Sequence, residues 1–313
     1  MSHEFESGIF TKIPAWHNLG VVLDNPPTIE EALVKSGLDW NVGLKDLYTE
    51  EGVKVSHRAT YRETDGSILG CVGPKYFPMQ NVDCFKWFEP FLESQEATIE
   101  TAGSLFKGRR VWVLAKIQRN GMTILPGDTV EKYLLLSNSH DGSRAIKVGY
   151  NPIRVVCANT MAMADRSALA QMLRVRHTAG AVTTLNSIRD IMNNIDAEFE
   201  ATAEQYRHLA SRKVKASDLK RYVKIVLDCE ATPDDELSPR TFNNMAKILE
   251  LVQHGPGTDI PGVGGTWWNC WNAVNGYIAE RGRNEESNLD SLWFGQGASD
   301  NKKMLDLALT LAV

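Results

Sequence analysis

The sequence predicts an α+β protein, a small twisted antiparallel sheet packed on a helix and followed by a helical carboxy-terminal part. Short β-rich runs bounded by Gly, Asp and Pro turns occupy the stretch from about residue 54 to residue 157. Helical spacing takes over from about residue 160. Strands first and helices later, without strict alternation, is the α+β order.

The elements follow along the chain. The first residues read as an arm, in which Ile13 to Gly20 carries an apolar Trp16 between chain breakers and leads to Pro26 and Pro27. Thr28 with Glu31 three residues on is a capping box, opening a short helix that ends near Gly37. Lys54 to Tyr61 and Ile68 to Val72 flank Thr64-Asp-Gly66 and form a hairpin. Val82, Phe85 and Phe88 recur at helical spacing within Asn81 to Leu92, which Pro90 should bend or stop. A second hairpin joins Thr98 to Leu105 with Arg109 to Ile117 through Phe106-Lys-Gly108. Val130 to Ser137 and Ala145 to Cys157 read as further strands. Ala181 to Leu209 is a long candidate helix, Ser217 caps a second, and Ser238 with Pro239 starts a third. A Gly/Pro-rich break over Gly255 to Gly265 precedes closing helices at Trp267 to Ile278 and Ser299 to Leu311. Three regions result: an arm and short helix over 1–45, an α+β core over 46–180, and a helical region over 181–313.

Composition narrows the class. Hydrophobic residues make up 43% and charged residues 23% of 313, an ordinary globular balance. No apolar run approaches the roughly 20 residues of a membrane span, and the acidic start Met-Ser-His-Glu-Phe-Glu lacks a signal-peptide pattern. A cytoplasmic protein with no membrane partner is expected. Cys71, Cys84, Cys157, Cys229 and Cys270 are odd in number and widely spaced, which fits reduced thiols and no zinc site. The net charge of −5 conceals a division: residues 101–224 hold 20 Lys/Arg against 10 Asp/Glu, and the remainder holds 14 against 29. Such a division either offers a basic surface to a polyanion or is neutralised when the two parts fold together.

Candidate chemistry is sparse. His140-Asp-Gly142 lacks the converging partners that a metal or acid/base site needs, and Asp-Gly is foremost a turn signal. Cys157 with Asn159 and His140 or His177 has the residue types of a thiol nucleophile, yet its apolar surroundings read as a buried strand. The glycines of the 255–265 break have neither P-loop nor dinucleotide spacing. Cations interleaved with aromatics are more informative. Lys107, Arg109, Arg110 and Trp112 cluster at a hairpin tip, Arg144, Lys147, Tyr150 and Arg154 follow on the next strand region, and Arg174 and Arg176 continue the series. A groove that tracks a phosphate backbone and stacks bases uses this mixture, and a set of solvated faces also shows it.

Ala15-Trp-His-Asn-Leu-Gly20, Ser137-Asn-Ser-His-Asp-Gly142, Pro152-Ile-Arg-Val-Val-Cys-Ala-Asn-Thr160, Arg174-Val-Arg-His177 and Trp271-Asn-Ala-Val-Asn275 resemble the phage- and plasmid-borne proteins grouped as domain of unknown function 932. The likeness runs almost from end to end and brings no catalytic residues with it. The gene settings of that family suggest similarity to single-strand annealing proteins of the RecT, Redβ and Erf kind, an analogy at the level of fold. It implies single-stranded DNA binding and annealing in phage or plasmid recombination or establishment, by a ring or filament of identical subunits, without metal or cofactor. Lys107, Arg109, Arg110, Arg144, Lys147 and Arg154 would contact phosphates, and Trp112 or Tyr150 would stack. The aromatic-rich Trp16 arm and the Trp267, Trp268 and Trp271 helix add an expectation of a homo-oligomer. The alternatives are an enzyme using His140/Asp141 and Cys157, and a non-catalytic protein acting on host factors.

Overall fold

A computed structural model describes residues 5–11, 20–118, 121–154, 159–160, 173–192, 196–281, 291–293 and 295–313. The fold is mixed α+β, with an antiparallel sheet and carboxy-terminal helices. The chain forms two compact units that interleave in sequence: unit 1 takes residues 1–119, 133–150 and 167–195, and unit 2 takes 120–132, 151–166 and 196–313. Two long strands each begin in one unit and end in the other.

Unit 1 starts with β1 (Phe5–Thr11) and β2 (Val21–Leu23). Thr28 and Glu31 exchange the two hydrogen bonds of the expected capping box at the head of α1 (Ile29–Lys35). Next come β3 (Val42–Tyr48), β4 (Lys54–Arg62) and β5 (Ile68–Val72), a three-stranded antiparallel sheet whose β4–β5 hairpin lies where the sequence placed it. The expected helix over 81–92 is two short ones, α2 (Asn81–Lys86) and α3 (Glu89–Glu93), with Pro90 in the first turn of the second. Proline lacks the N–H that a continuous helix would need there. The central hairpin is β6 (Ala97–Leu105) and β7 (Arg110–Ile117). It is followed by β8 (Met122–Leu125), which belongs to unit 2, then β9 (Asp128–Ser139), β10 (Ile146–Arg154), β11 (Asn159–Thr160) and β12 (Leu173–Val175). The unit 1 sheet has the order β10-β9-β7-β6-β1-β2, with β12 also against β10. β1 with β6, β6 with β7, β7 with β9 and β10 with β12 are antiparallel, and β1 with β2 is parallel.

The apolar run Val111–Ala115 is buried throughout on β7. A strand covered on both faces loses the alternation of a half-exposed one. α1 and α3 pack on β6, and α2 packs on β7. On β6, Gly103 makes room for the indole of Trp112, which would stand 2.5 Å from a Cβ placed there. Residues 5–11, read from sequence as part of an arm, form β1 and pair with β6. Trp16 lies outside the described residues.

In unit 2, β8 pairs with the start of β9 and β11 with the end of β10. The candidate helix over 181–209 is two: α4 (Ala181–Met192), in unit 1, and α5 (Asp196–Ser211), which packs on β8. α6 (Ala216–Val226) starts from Lys215 without a side-chain cap, and Ser217 lies inside its first turn. Ser238 caps α7 (Pro239–His254) as expected, accepting from the Thr241 amide. The 255–265 connector leads to α8 (Trp267–Glu280), and α9 (Gln296–Leu311) closes the unit. Trp267, Trp268 and Trp271 are buried against Tyr222 and Tyr206, with ring centroids 5.0–5.6 Å apart. Their aromatic surface is spent inside unit 2, which corrects the expectation that it is free for subunit contacts. No helix among the described residues is long and apolar enough to cross a membrane.

Candidate functional site

Register brings three segments of unit 1 to one end of its sheet. Arg110 is opposite Ser139, and Ile146 is opposite Val175. The 106–109 turn, the 140–145 connection and the end of β12 are therefore neighbours. A chain of bonds continues around this end: the His140 amide donates to the Arg109 carbonyl at 2.8 Å, and the Tyr76 hydroxyl donates to the Ser139 carbonyl at 2.8 Å. Tyr76 stacks on His177 at 4.6 Å between ring centroids, and the Phe77 amide donates to the His177 carbonyl. The rim so defined carries Lys107, Arg109, Arg174 and Arg176, all exposed. Phe106 and Lys107 reach the turn in the left-handed conformation, at φ of 56° and 59°, and Gly108 follows at 80°. Arg110 lies half-buried with its guanidinium 4.4 Å over the Phe106 ring, and Arg144 is half-buried.

The remaining four sequence candidates turn inward. Trp112 is 2% exposed and Tyr150 8%, so neither presents a ring face to a base. Lys147 is buried on β10 opposite Arg174. Arg154, in unit 2, is 1% exposed and bound twice by Asp128, at 2.8 and 2.5 Å. Phosphate contact by Arg154 and stacking by Trp112 or Tyr150 are thereby corrected, since strand alternation and burial in a two-sided sheet decide which way a side chain points. The exposed aromatic on this rim is Phe77, 54% accessible and next to exposed Lys75. Sequence reasoning missed it. Its signal was the Lys75-Tyr-Phe77 triplet ahead of Pro78, which lies outside the base-rich stretch.

The Ser137–Gly142 motif is a polar clasp. Asn138 donates to the Met79 carbonyl, and Thr60 donates to the His140 carbonyl at 2.7 Å. His140 is fully buried, with Nε2 2.9 Å from Asn81 Oδ1 and the Trp40 ring edge-on to it. Asn81 uses its amide nitrogen on the Leu38 and Trp40 carbonyls, so its oxygen faces the imidazole and Nε2 is the protonated nitrogen. Burial, reinforced by His177 nearby, pulls His140 down to about 3, so the ring is neutral. Asp141 points elsewhere: it accepts from the Ser139 hydroxyl and the Ser143 amide. Burial would raise its carboxyl, but these bonds and the neighbouring Arg110 hold it below the usual range. His140 and Asp141 thus serve separate partners. Cys157 lies outside the described residues, burial pushes the Cys84 thiol up, and Cys71 is exposed. Among the described residues no group of three His, Cys, Asp or Glu could hold a metal ion.

A family model described as domain of unknown function (DUF932) matches residues 68–294, more than half of the chain. No curated protein and no solved structure matches.

Proposed function

We propose that this chain, which belongs to the DUF932 family, binds single-stranded nucleic acid along the rim of unit 1. The observation that carries the reading is the gathering of Lys107, Arg109, Arg110, Arg144, Arg174 and Arg176 at the sheet end that also exposes Phe77. Cations there would neutralise phosphates, and Phe77 would give a base a face to stack on. The bonds from Arg109 through His140, Ser139 and Tyr76 to His177 and Phe77 hold the two kinds of group on one frame. A stacking face favours single strands, whose bases are unstacked, over duplex. The buried, neutral His140 favours binding over acid/base chemistry at the clasp.

The wider role follows the resemblance. We propose annealing of complementary DNA strands in phage or plasmid recombination or establishment, by a homo-oligomer that needs no cofactor. β2 supports assembly modestly: it ends the sheet order with Val21 and Val22 exposed, and a strand edge can pair with another chain.

Fluorescence anisotropy of a labelled oligonucleotide over a series of salt concentrations tests the first proposal. Affinity should fall log-linearly with salt, with a slope near −0.7 per phosphate contact. Absence of binding at low salt, or equal preference for duplex, would refute it. Strand annealing followed by fluorescence quenching, together with light scattering, tests the second. A 34.9 kDa monomer that anneals nothing would end it.

A further inference from the structure

Away from its cationic rim, unit 1 carries a groove of about 730 Å³. It is lined by α1, α2, α3 and the first residues of β6, elements that pack on one another. Pro26, Ile29, Leu33, Val82 and Leu92 make its apolar part, and the last four of these are half-buried. Ile29 and Leu33 stand four residues apart on α1 and so share one face of that helix, while Ala32 is buried. Aliphatic surface gathered in one concave place and bordered by charge marks an interaction site, which scattered exposed residues do not.

Charge selects the occupant. Glu30 on α1 and Glu89 and Glu93 on α3 belong to the same lining, all exposed, against one cation, Lys86. Among the described residues none of these four is in an ion pair. Glu89 and Glu93 stand four residues apart on a helix, so their like charges are neighbours and repel. A cation in the groove relieves that repulsion, and a phosphate backbone or an anionic headgroup adds to it. The carboxylates come from two helices, so an occupant needs cations on both flanks of its apolar surface. An amphipathic helix whose apolar stripe is bordered by lysine or arginine has that form, and helices of this kind seat in apolar grooves. The chain's own basic helix, α6, does not offer it: Tyr222 and Val223 are buried, and Lys220, Arg221 and Lys224 are paired with Asp234 and Glu230.

We propose that this groove docks a basic amphipathic helix of a partner protein, whose apolar side chains cover Ile29, Leu33, Val82 and Leu92 and whose cations meet Glu30, Glu89 and Glu93. The groove lies at the Ala97 end of β6 and the cationic rim at the Leu105 end. Eight steps of about 3.4 Å separate the two ends, roughly 27 Å along the strand. Unit 1 can therefore hold a protein at one end and leave the other free, and the inference does not depend on the rim binding nucleic acid.

Fluorescence anisotropy of a labelled peptide with the full chain tests it. The probe has about 18 residues, long enough to hold a helix, with leucine at i, i+3, i+4 and i+7 spacing and lysine elsewhere. One control peptide scrambles the leucines, and another keeps the pattern with glutamate in place of lysine. The lysine peptide should bind saturably, and both controls at least about tenfold more weakly, since each lacks one half of the match. Leu92→Ala removes an apolar anchor and should weaken the lysine peptide about tenfold. Glu89→Lys with Glu93→Lys should weaken it by at least about tenfold through like-charge contact. Asp235→Lys with Glu250→Lys, the same change of net charge on exposed residues of unit 2, should not. Variants are compared at an unchanged melting profile, and Glu30→Lys on α1 replaces the α3 pair if that pair unfolds the chain. Equal binding of either control peptide, no saturable binding, or equal weakening by the two charge reversals would overturn the proposal. Light scattering that shows self-association abolished by Leu92→Ala would overturn it as well, because the occupant would then be a second copy of this chain. Leu92→Ala should leave oligonucleotide binding unchanged, so failure of the groove and failure of the rim are read separately.

Discussion

Replacing Asp128 by alanine removes the acceptor from two buried donors at once, the Arg154 guanidinium and the Trp268 indole N–H. Asp128 is 0% and Arg154 1% exposed, so water cannot take over the lost bonds without opening the unit. An uncompensated charge in such a place costs about 3–5 kcal/mol, because the desolvation penalty stays after its compensation has gone. At about 2–4 °C per kcal/mol for a cooperative unit of this size, the unfolding transition of unit 2 should fall by roughly 6–20 °C. Calorimetry, with urea unfolding followed by tryptophan fluorescence, measures it. The double variant Asp128→Leu with Arg154→Met should recover most of the loss, since a well-packed apolar pair often matches or exceeds a buried ion pair. A cost below about 1 kcal/mol for Asp128→Ala, the level of a surface pair, would refute the reasoning. A double variant no better than the single would place the loss in the β8–β9 turn and not in the charge.

Arg109→Ala with Arg110→Ala should flatten the salt dependence of oligonucleotide binding by about one to two contacts' worth, near 0.7 each, and an unaltered slope would make this end of the sheet a solvated face. Phe77→Ala should cost roughly 1–3 kcal/mol of binding without changing that slope. Trp112→Ala should instead cost about 3–5 kcal/mol of folding stability, read from urea titrations, because its ring fills the space above Gly103. His140 and His177 ionise at about 3 and about 4, both pulled down chiefly by burial. The unfolded chain takes up these protons first as pH falls through about 6.5, so stability is complete above that pH and drains away toward pH 3. The loss reaches at most about 1.4 kcal/mol per pH unit for each histidine. Acid unfolding of His140→Gln should show a shallower fall over this window, and a wild-type stability flat from pH 7 to pH 4 would refute the assignment.

Local signals carried much of the fold. The Thr28 capping box, the Ser238-Pro239 start of α7, the Gly66 and Gly108 turns and the break at Pro90 each depend on a few adjacent residues, so one sequence reveals them. The long-range pairings were not legible. β1 pairs with β6, far along the chain, and β9 and β10 each serve both units, which no linear boundary expresses. The candidate site was read in the same proportion. Composition and spacing picked out the cations near 107–110 and 174–176, which the structure finds exposed or half-buried, and the same cues offered Trp112, Lys147, Tyr150 and Arg154 as their equals. Residue type sets what a side chain can bind, whereas strand register and the covering layer set whether it meets solvent or a buried partner such as Asp128. Phe77 on its exposed rim is a product of that tertiary choice.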